Sequence, residues 1–573
     1  MSKKINGIGA SEGIALAKTL VLIEEEIKIS KQTITDTNKE ILKLEKAIEE
    51  SIGELESLRE NTLKKLGEEK SAIFEAHKDI ANDPQIKAEI EEMINGEKIN
   101  AEFATQAITN NYFEMFSQMD DHYFKERSAD IKDVASRIIK HIVGAKIIDL
   151  STIKDEVIIV AEDLTPSQTA QLDKKFVKGF ATNIGGRTSH AAIMARSLEI
   201  PAVLGLKTIT KDIKDGELLA LDGTEGTVEF NLNDSEIKEY NNKAVEFAKL
   251  IAELKNFKDQ PTKSKDGQSK LIEANIGSPN DIDSVLDNGA EGVGLFRSEF
   301  LYMDNDHFPT EEEQFVSYKK VVEQMNGKIV VIRTLDIGGD KKLSYFEFPH
   351  EMNPFLGYRA IRFTLNRKDI FRDQIRALLR ASAFGKLGIM FPMIATIDEF
   401  KKAKAFVEEC KAELDKENIK YDKGVQIGMM VEIPSAAVNA DKFAKYADFF
   451  SIGTNDLIQY SMAADRMSEN VTYLYQPTNP SILRLIKMTI DGAHTQNRWV
   501  GMCGEMAGDA NAIPLLLGLG LDAFSMSATS MLRARSIISK LDSKETANLA
   551  EQALQLETEE QVLELVSKFM DNK

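Results

Sequence analysis

Apolar residues along this chain follow three successive rhythms. Over the first twenty or so positions, "INGIGASEGIALAKTLVL" alternates short apolar runs with glycines, which reads as short strands joined by tight turns. From about Glu24 to Val143 the rhythm lengthens. Ile41, Leu44, Ile48, Ile52, Leu55 and Leu58 recur at three- and four-residue spacing, one face of an amphipathic helix. Pro84 is the only proline before Pro166 and glycine is sparse, so the spacing predicts a bundle of about four helices. Near Ile147 the strand rhythm returns in "DEVIIVAEDLTPSQTAQL", "VKGFATNIGG", "PAVLGL" and "GELLALDGTEGTVEF". The simplest topology is one α/β domain, residues 1–22 with 146–232, interrupted by the bundle at 23–145. A polar stretch with helical spacing from Asp234, followed by "KDQPTKSKDGQSK", predicts a helical linker over 233–262.

The third rhythm fills residues 263–573. Eight short apolar runs follow in order, separated by helical stretches: "LIEANIG", "GVGLFRSE", "KIVVIRTLDIGG", "GIMFPMIAT", "VQIGMMVEIP", "FFSIGTNDL", "WVGMCGEM" and "AFSMSA". Eight strand–helix repeats in about 300 residues are the signature of a (β/α)8 TIM-type barrel. The fold class is therefore multidomain α/β, with a helical insertion early and a barrel at the end.

Composition narrows the function classes. The net charge of −20 argues against nucleic-acid binding, and no run of about 18 apolar residues could cross a membrane. The first ten residues lack the apolar core of a secretory signal. Two cysteines far apart in sequence, Cys410 and Cys503, build no disulfide framework, so a cytoplasmic location is expected.

Barrel enzymes carry their chemistry at the C-terminal ends of the strands. Here those ends read Arg297, Arg333, Glu432, Asn455 with Asp456, and Cys503, and Arg466 follows shortly in "AADRM". Three arginines suit a small polyanion bearing phosphate and carboxylate, because guanidinium forks onto both. Glu432 and Asp456 are hard oxygen donors of the kind Mg²⁺ prefers. A lone arginine at a strand end is usually a structural ion pair; six such residues on one face of one fold make that account improbable for the set. Cys503 reads either as a small buried hydrophobe or as a proton-transfer group. Cys410, in helical "FVEECKAEL", reads as packing.

His190 lies in "GGRTSHAAIMARS", where Gly185 and Gly186 allow close backbone approach and a helix begins near Ser189. Neutral imidazole is a competent nucleophile, and a phosphoryl group on it would sit in the helix dipole's field. A histidine capping its own helix fits the same spacing.

Taken together, "GIGASEGIALAK", "DLTPSQTAQLD", "GGRTSH", "GVGLFRSEFLYM", "RTLDIGGDK", "NPFLGYRAIR", "VEIPSA", "GTNDLIQY" and "CGEMAGD" resemble enzyme I of the bacterial phosphotransferase system, the phosphoenolpyruvate–protein phosphotransferases, over essentially the whole chain. The resemblance implies a swivelling α/β phosphohistidine domain with His190 as the phosphoryl acceptor and Thr169 orienting it. It implies that Arg297, Arg333, Asn455 and Arg466 bind phosphoenolpyruvate, that Glu432 and Asp456 hold Mg²⁺, and that Cys503 protonates the enolate to give pyruvate. It further implies that the helical insertion docks the phosphocarrier protein HPr, that the barrel forms a homodimer, and that the reaction begins sugar uptake. Two departures stand out: "SHAA" replaces the family's common "SHTS", and Ser298 replaces a frequent threonine. Neither removes a reacting group. A pyruvate phosphate dikinase or phosphoenolpyruvate synthase would need a large ATP-binding segment for which this sequence has no room. A non-catalytic regulatory phosphoprotein would be expected to have lost the strand-end ligands, which are present.

Overall fold

The computed structural model describes residues 2–22, 29–66, 68–118, 122–145, 150, 153–169, 171–186, 189–198, 200–303, 305–339, 341, 343–466 and 468–573. They form two compact units, Met1–Ile251 and Ala252–Lys573.

In the first unit, strands β1 (Lys3–Asn6) and β2 (Ile8–Ser11) are neighbours in sequence but lie on opposite edges of one sheet. Between them run β3 (Ile14–Leu22), β4 (Val157–Ala161), β5 (Val177–Thr182), β6 (Ala202–Leu204), β7 (Leu218–Asp222) and β8 (Thr227–Phe230), in the order β1-β8-β7-β3-β4-β5-β6-β2. Lys3 pairs with Phe230 on one edge and Ile8 with Leu204 on the other. Gly7 alone makes the crossing, so the sheet must curl until its edges nearly meet. A Cβ at Gly7 would stand 2.5 Å from the Leu204 carbonyl oxygen, which is why the position needs glycine. Both faces are buried: Ile159, Phe180 and Leu204 pack on one side, Ile158, Val160 and Leu221 on the other. Burial on both faces explains why β4 reads as the unbroken apolar run "VIIVA".

The insertion holds five helical segments among the described residues, where the spacing predicts about four: α1 (Thr37–Leu66), α2 (Glu68–Ala81), α3 (Pro84–Glu97), α4 (Ala101–Gln118) and α5 (His122–Val143). Pro84 accounts for one extra break. It occupies the first turn of α3, and the preceding Asp83 accepts the Gln85 and Ile86 N–H groups at 2.8 and 3.0 Å. Leu44, Leu55, Phe74 and Ile94 form the bundle core. Residues 23–28 and 119–121, which include the acidic runs Glu24-Glu25-Glu26 and Asp120-Asp121, lie outside the described residues.

A helix, Asp234–Lys255, occupies the stretch read as a linker. The chain that leaves it is tied down by Arg535, which is 1% exposed and donates to the carbonyls of Phe257 (2.7 Å) and Gly289 (2.6 Å).

The eight apolar runs of the second unit are eight parallel strands closed into a barrel: β9 (Leu271–Ile276), β10 (Gly292–Arg297), β11 (Ile329–Arg333), β12 (Leu387–Phe391), β13 (Gln426–Val431), β14 (Phe449–Ile452), β15 (Trp499–Met502) and β16 (Ala523–Met526). Closure pairs Ala523 with Leu271. Ile272, Ala274 and Ile276 face the surrounding helices. Leu295, Val331, Met390, Met430, Phe449 and Cys503 cluster inside, where Phe449 and Trp499 stack with ring centroids 4.7 Å apart. The interior also takes polar side chains from β9 and β16. Glu273 is 1% exposed and fits because Gly292 and Gly294 face it; a Cβ at either would come within 2.9 and 2.5 Å of its carboxyl oxygens.

Candidate active site

The ends of the barrel strands converge on a buried network of charge. Arg333, the last residue of β11, donates to Glu299 at 2.5 Å and pairs with Asp336 at 3.0 Å. Lys341 meets the same Glu299 oxygen at 2.7 Å. Asp336 pairs with Arg359 at 2.9 Å, and Arg359 reaches Asp456 at 3.5 Å and the Tyr460 hydroxyl at 3.2 Å. Arg466 approaches the other Asp456 oxygen at 3.8 Å. Burial works against the charges of Glu299 and Asp336; Arg333 and Lys341, with Arg359 at Asp336, overcome it and hold both carboxyls below their ordinary range.

Local backbone fixes these positions. Gly338 has φ +115° and its missing side chain leaves room for Arg359, whose Cβ would lie 2.6 Å from a Cβ there. Ala360, next to Arg359, holds φ +52° with ψ −127°, a conformation costly for a residue with a side chain. Ser298 donates to the Arg333 carbonyl at 2.6 Å, so the serine keeps a hydroxyl contact that supports the strand end.

Glu432 is fully buried at the end of β13. One of its oxygens accepts the Met393 N–H, whose residue adopts φ +56° to present it. The other, Oε2, is buried with no hydrogen-bond partner. Burial first, then the neighbouring Asp456 and Asp336, push this carboxyl well up. A buried carboxylate oxygen without a donor, beside a second carboxylate, is a combination that a cation would relieve. Among the described residues no group of three or more His, Cys, Asp and Glu is placed to hold a metal. A cation here would therefore have two protein carboxylates and draw its remaining oxygens from substrate and water. The residues fit a hard divalent ion on those terms.

Other buried polar atoms at the same strand ends lack partners: Glu299 Oε2, Arg333 Nε, Thr334 Oγ1, Arg359 Nε and Thr454 Oγ1. Unpartnered buried polar groups are costly, and their concentration in one place marks a site that a polar ligand completes.

Cys503 follows β15 and is 6% exposed. Burial pushes its thiol up to about 11, against the pull of Ser451 and Arg333, so the sulfur carries its proton at neutral pH. Arg297 is exposed at the end of β10 over the Phe300 ring, 5.5 Å from its centroid. Asn455 accepts the Tyr475 hydroxyl at 2.9 Å. The second unit thus gathers Arg333, Glu432, Asp456, Arg466 and Cys503 around one network, with Arg297 and Asn455 at its edge.

His190 and Thr169 belong to the first unit. His190 opens the helix His190–Leu198, and Gly185 ahead of it adopts φ +116°. The cap is made by Ser189, whose Oγ accepts the Ala192 N–H at 3.3 Å, so capping falls to the serine. Arg187 and Thr188 lie outside the described residues. Thr169 is buried and donates its hydroxyl to the Thr165 carbonyl at 3.1 Å.

Glu299, Asp336, Lys341 and Arg359 were not singled out by the sequence reading. All four lie inside stretches that carry the resemblance, "FRSEF", "RTLDIGGDK" and "GYRAIR", so a signal was present.

Family models match three consecutive parts of the chain: "PEP-utilising enzyme, N-terminal" over residues 6–127, "PEP-utilising enzyme, mobile domain" over 153–226 and "PEP-utilising enzyme, PEP-binding domain" over 251–543. A phosphoenolpyruvate-protein phosphotransferase of Mycoplasma capricolum is 70% identical over 100% of both chains. One from Listeria innocua is 54% identical over 99% of this chain and 100% of its own. Among solved structures, an Enzyme I (nEIt) protein solved by NMR is 41% identical and covers 43% of this chain and 99% of its own, with a TM-score of 0.40. With a relative this similar from end to end, the chain belongs to the phosphoenolpyruvate-protein phosphotransferase family.

Proposed function

We propose that this protein transfers the phosphoryl group of phosphoenolpyruvate to its own His190, and from there to the histidine of the phosphocarrier HPr, releasing pyruvate as the first step of sugar uptake. The observation that carries the reading is the knot of unpartnered buried polar atoms among arginines and carboxylates at the barrel's strand ends. Family membership supports the same chemistry.

Arg297, Arg333 and Arg466 neutralise the phosphate and carboxylate of the substrate, and Asn455 orients it. Glu432 and Asp456 would hold Mg²⁺, which when bound supplies Lewis-acid stabilisation of the charge that develops on the departing enolate. His190, oriented by Thr169, attacks phosphorus; the P–O bond breaks and the enolate leaves. Cys503 then delivers its proton to C3. A thiol kept protonated by burial has that proton available at neutral pH.

The phosphorylated histidine must next meet its second reactant. The helical bundle of residues 23–145 is the docking platform for HPr, and the α/β domain (1–22 with 146–232) swings about the linker between Asp234 and Lys270. The enzyme works in the cytoplasm as a homodimer joined through the barrel; no helix among the described residues is long and apolar enough to cross a membrane.

Incubation with labelled phosphoenolpyruvate and Mg²⁺ should place acid-labile phosphate on His190. His190→Ala should take up none while keeping the wild-type melting profile. If His190→Ala still passed label to HPr, the assignment would fall. Cross-linking the α/β domain to the barrel should leave one charging event and stop multiple turnover.

A further inference from the structure

Proton delivery to C3 needs a thiol aimed at one face of a planar enolate, and the apolar cluster around Cys503 is a poor aiming device. Leu295, Val331, Met390, Met430 and Phe449 confine the sulfur by shape, without direction. Ser451 reaches the thiol itself. The sulfur also donates to the Ile452 carbonyl at 3.9 Å, and the backbone sets the residue that carries it. The Cys503 N–H donates to the Ile452 carbonyl at 3.1 Å, which ties one side of the residue to β14. The Cys503 carbonyl is held from the other side by Asn275, two strands away on β9, whose Nδ2 donates to it at 2.9 Å. Asn275 is itself fixed, because Ser525 on the intervening β16 donates its hydroxyl to the Asn275 Oδ1 at 2.6 Å. The chain immediately beyond is pinned as well: a Cβ at Gly504 would stand 1.8 Å from Thr454 Oγ1.

We infer that Asn275 and Ser525 are positioning residues for the Cys503 thiol, acting through the Cys503–Gly504 peptide plane and not through the sulfur. The inference rests on the reading of Cys503 as proton donor. In the step they serve, the S–H bond breaks and its proton joins C3. The C2–C3 π pair becomes the new C–H bond and C2–O becomes the ketone. The thiolate then recovers a proton from solvent. Asn275 fixes the serine's hydroxyl and the cysteine's carbonyl in one line, so losing either member lets the peptide plane turn and spoils the approach to one face.

The test reads the face, which a merely structural role would not move. Full-length protein converts (Z)-phosphoenolbutyrate in D2O in a single turnover, and the 2-oxobutyrate is reduced in situ so that NMR resolves deuterium at the two C3 positions. Wild type should label one position. Asn275→Ala and Ser525→Ala should lower the facial ratio about tenfold, the scale of one lost directional hydrogen bond. Ser525→Thr, which keeps the hydroxyl, should restore the ratio. Cys503→Ala should label both positions equally. Wild-type selectivity in both alanine variants, with selectivity lost in Cys503→Ala, would overturn the positioning role alone. Selectivity retained in Cys503→Ala would overturn the proton-donor reading beneath it.

Discussion

Glu273→Met, inside the barrel, should make the protein more stable, and the gain should grow with pH. The carboxyl is 1% exposed, its Oε1 has no hydrogen-bond partner, and burial, with a smaller contribution from Glu291, pushes it from an ordinary 4.5 up to about 8. Between those values the folded chain carries a proton on Glu273 that the unfolded chain has lost. The folded state then binds more protons, so stability falls as pH rises through this window and is fully present only below 4.5. Each pH unit is worth about 1.4 kcal/mol, so between about pH 5 and about pH 7.5 the residue removes about 3 kcal/mol. Removing the unpartnered oxygen adds about 1 kcal/mol that does not depend on pH. Trp499, the chain's only tryptophan, stacks on Phe449 within the same barrel and reports its unfolding in the intact protein. Urea titrations of wild type and variant, at one protein concentration and several pH values, give the difference directly. Parallel stability curves from pH 5 to 7.5 would refute the argument, because they would mean that Glu273 takes up no proton on folding.

Three further outcomes are expected. Arg359→Met leaves buried Asp336 and its neighbour Asp456 without their shared guanidinium, which should cost about 3–5 kcal/mol in the same titration. Gly338→Ala forces a side chain into φ +115° and against Arg359, and should lose about 1–3 kcal/mol and weaken substrate binding, read as a raised KM. Alkylation of Cys503 by iodoacetamide, followed by mass spectrometry, should accelerate about tenfold per pH unit and still be rising at pH 10, because the thiol sits near 11. A plateau near pH 9 would contradict that value; Cys410, held higher by burial, serves as the slow internal comparison.

How much of this was legible in the sequence depends on the range of the forces involved. Strands buried on both faces read as short apolar runs, so "GIMFPM" and "FFSIG" announced the barrel. Strand-end residues were legible because barrel topology assigns those ends one common face. The ion network was not. Arg359 meets Asp456 almost a hundred positions away, and nothing local distinguishes an arginine that will be buried from one that will be solvated. The inward set of β9 was hidden for a related reason: in "LIEANI" Glu273 and Asn275 look like ordinary polar interruptions until Gly292 and Gly294 make room opposite them. Around His190 the local signal was ambiguous, and only the Ser189–Ala192 hydrogen bond decides which residue caps the helix. The extra break in the bundle was carried by "NDPQ", where an aspartate before a proline starts a new helix.

The crossing at Gly7 also sets an order of events during synthesis. Lys3 and Ile8 leave the ribosome long before their partners do, since Lys3 waits for Phe230 and Ile8 for Leu204. The helical bundle, whose core contacts lie wholly within the insertion, has everything it needs long before then. At elongation rates of about 5–20 residues per second, the first strand stays unpaired for about ten seconds or more while the intervening chain is made. For that interval a nascent chain carries two strands with exposed edges, available to any neighbouring polypeptide. The α/β domain is thus the portion of this protein whose yield should depend most on the pace of translation.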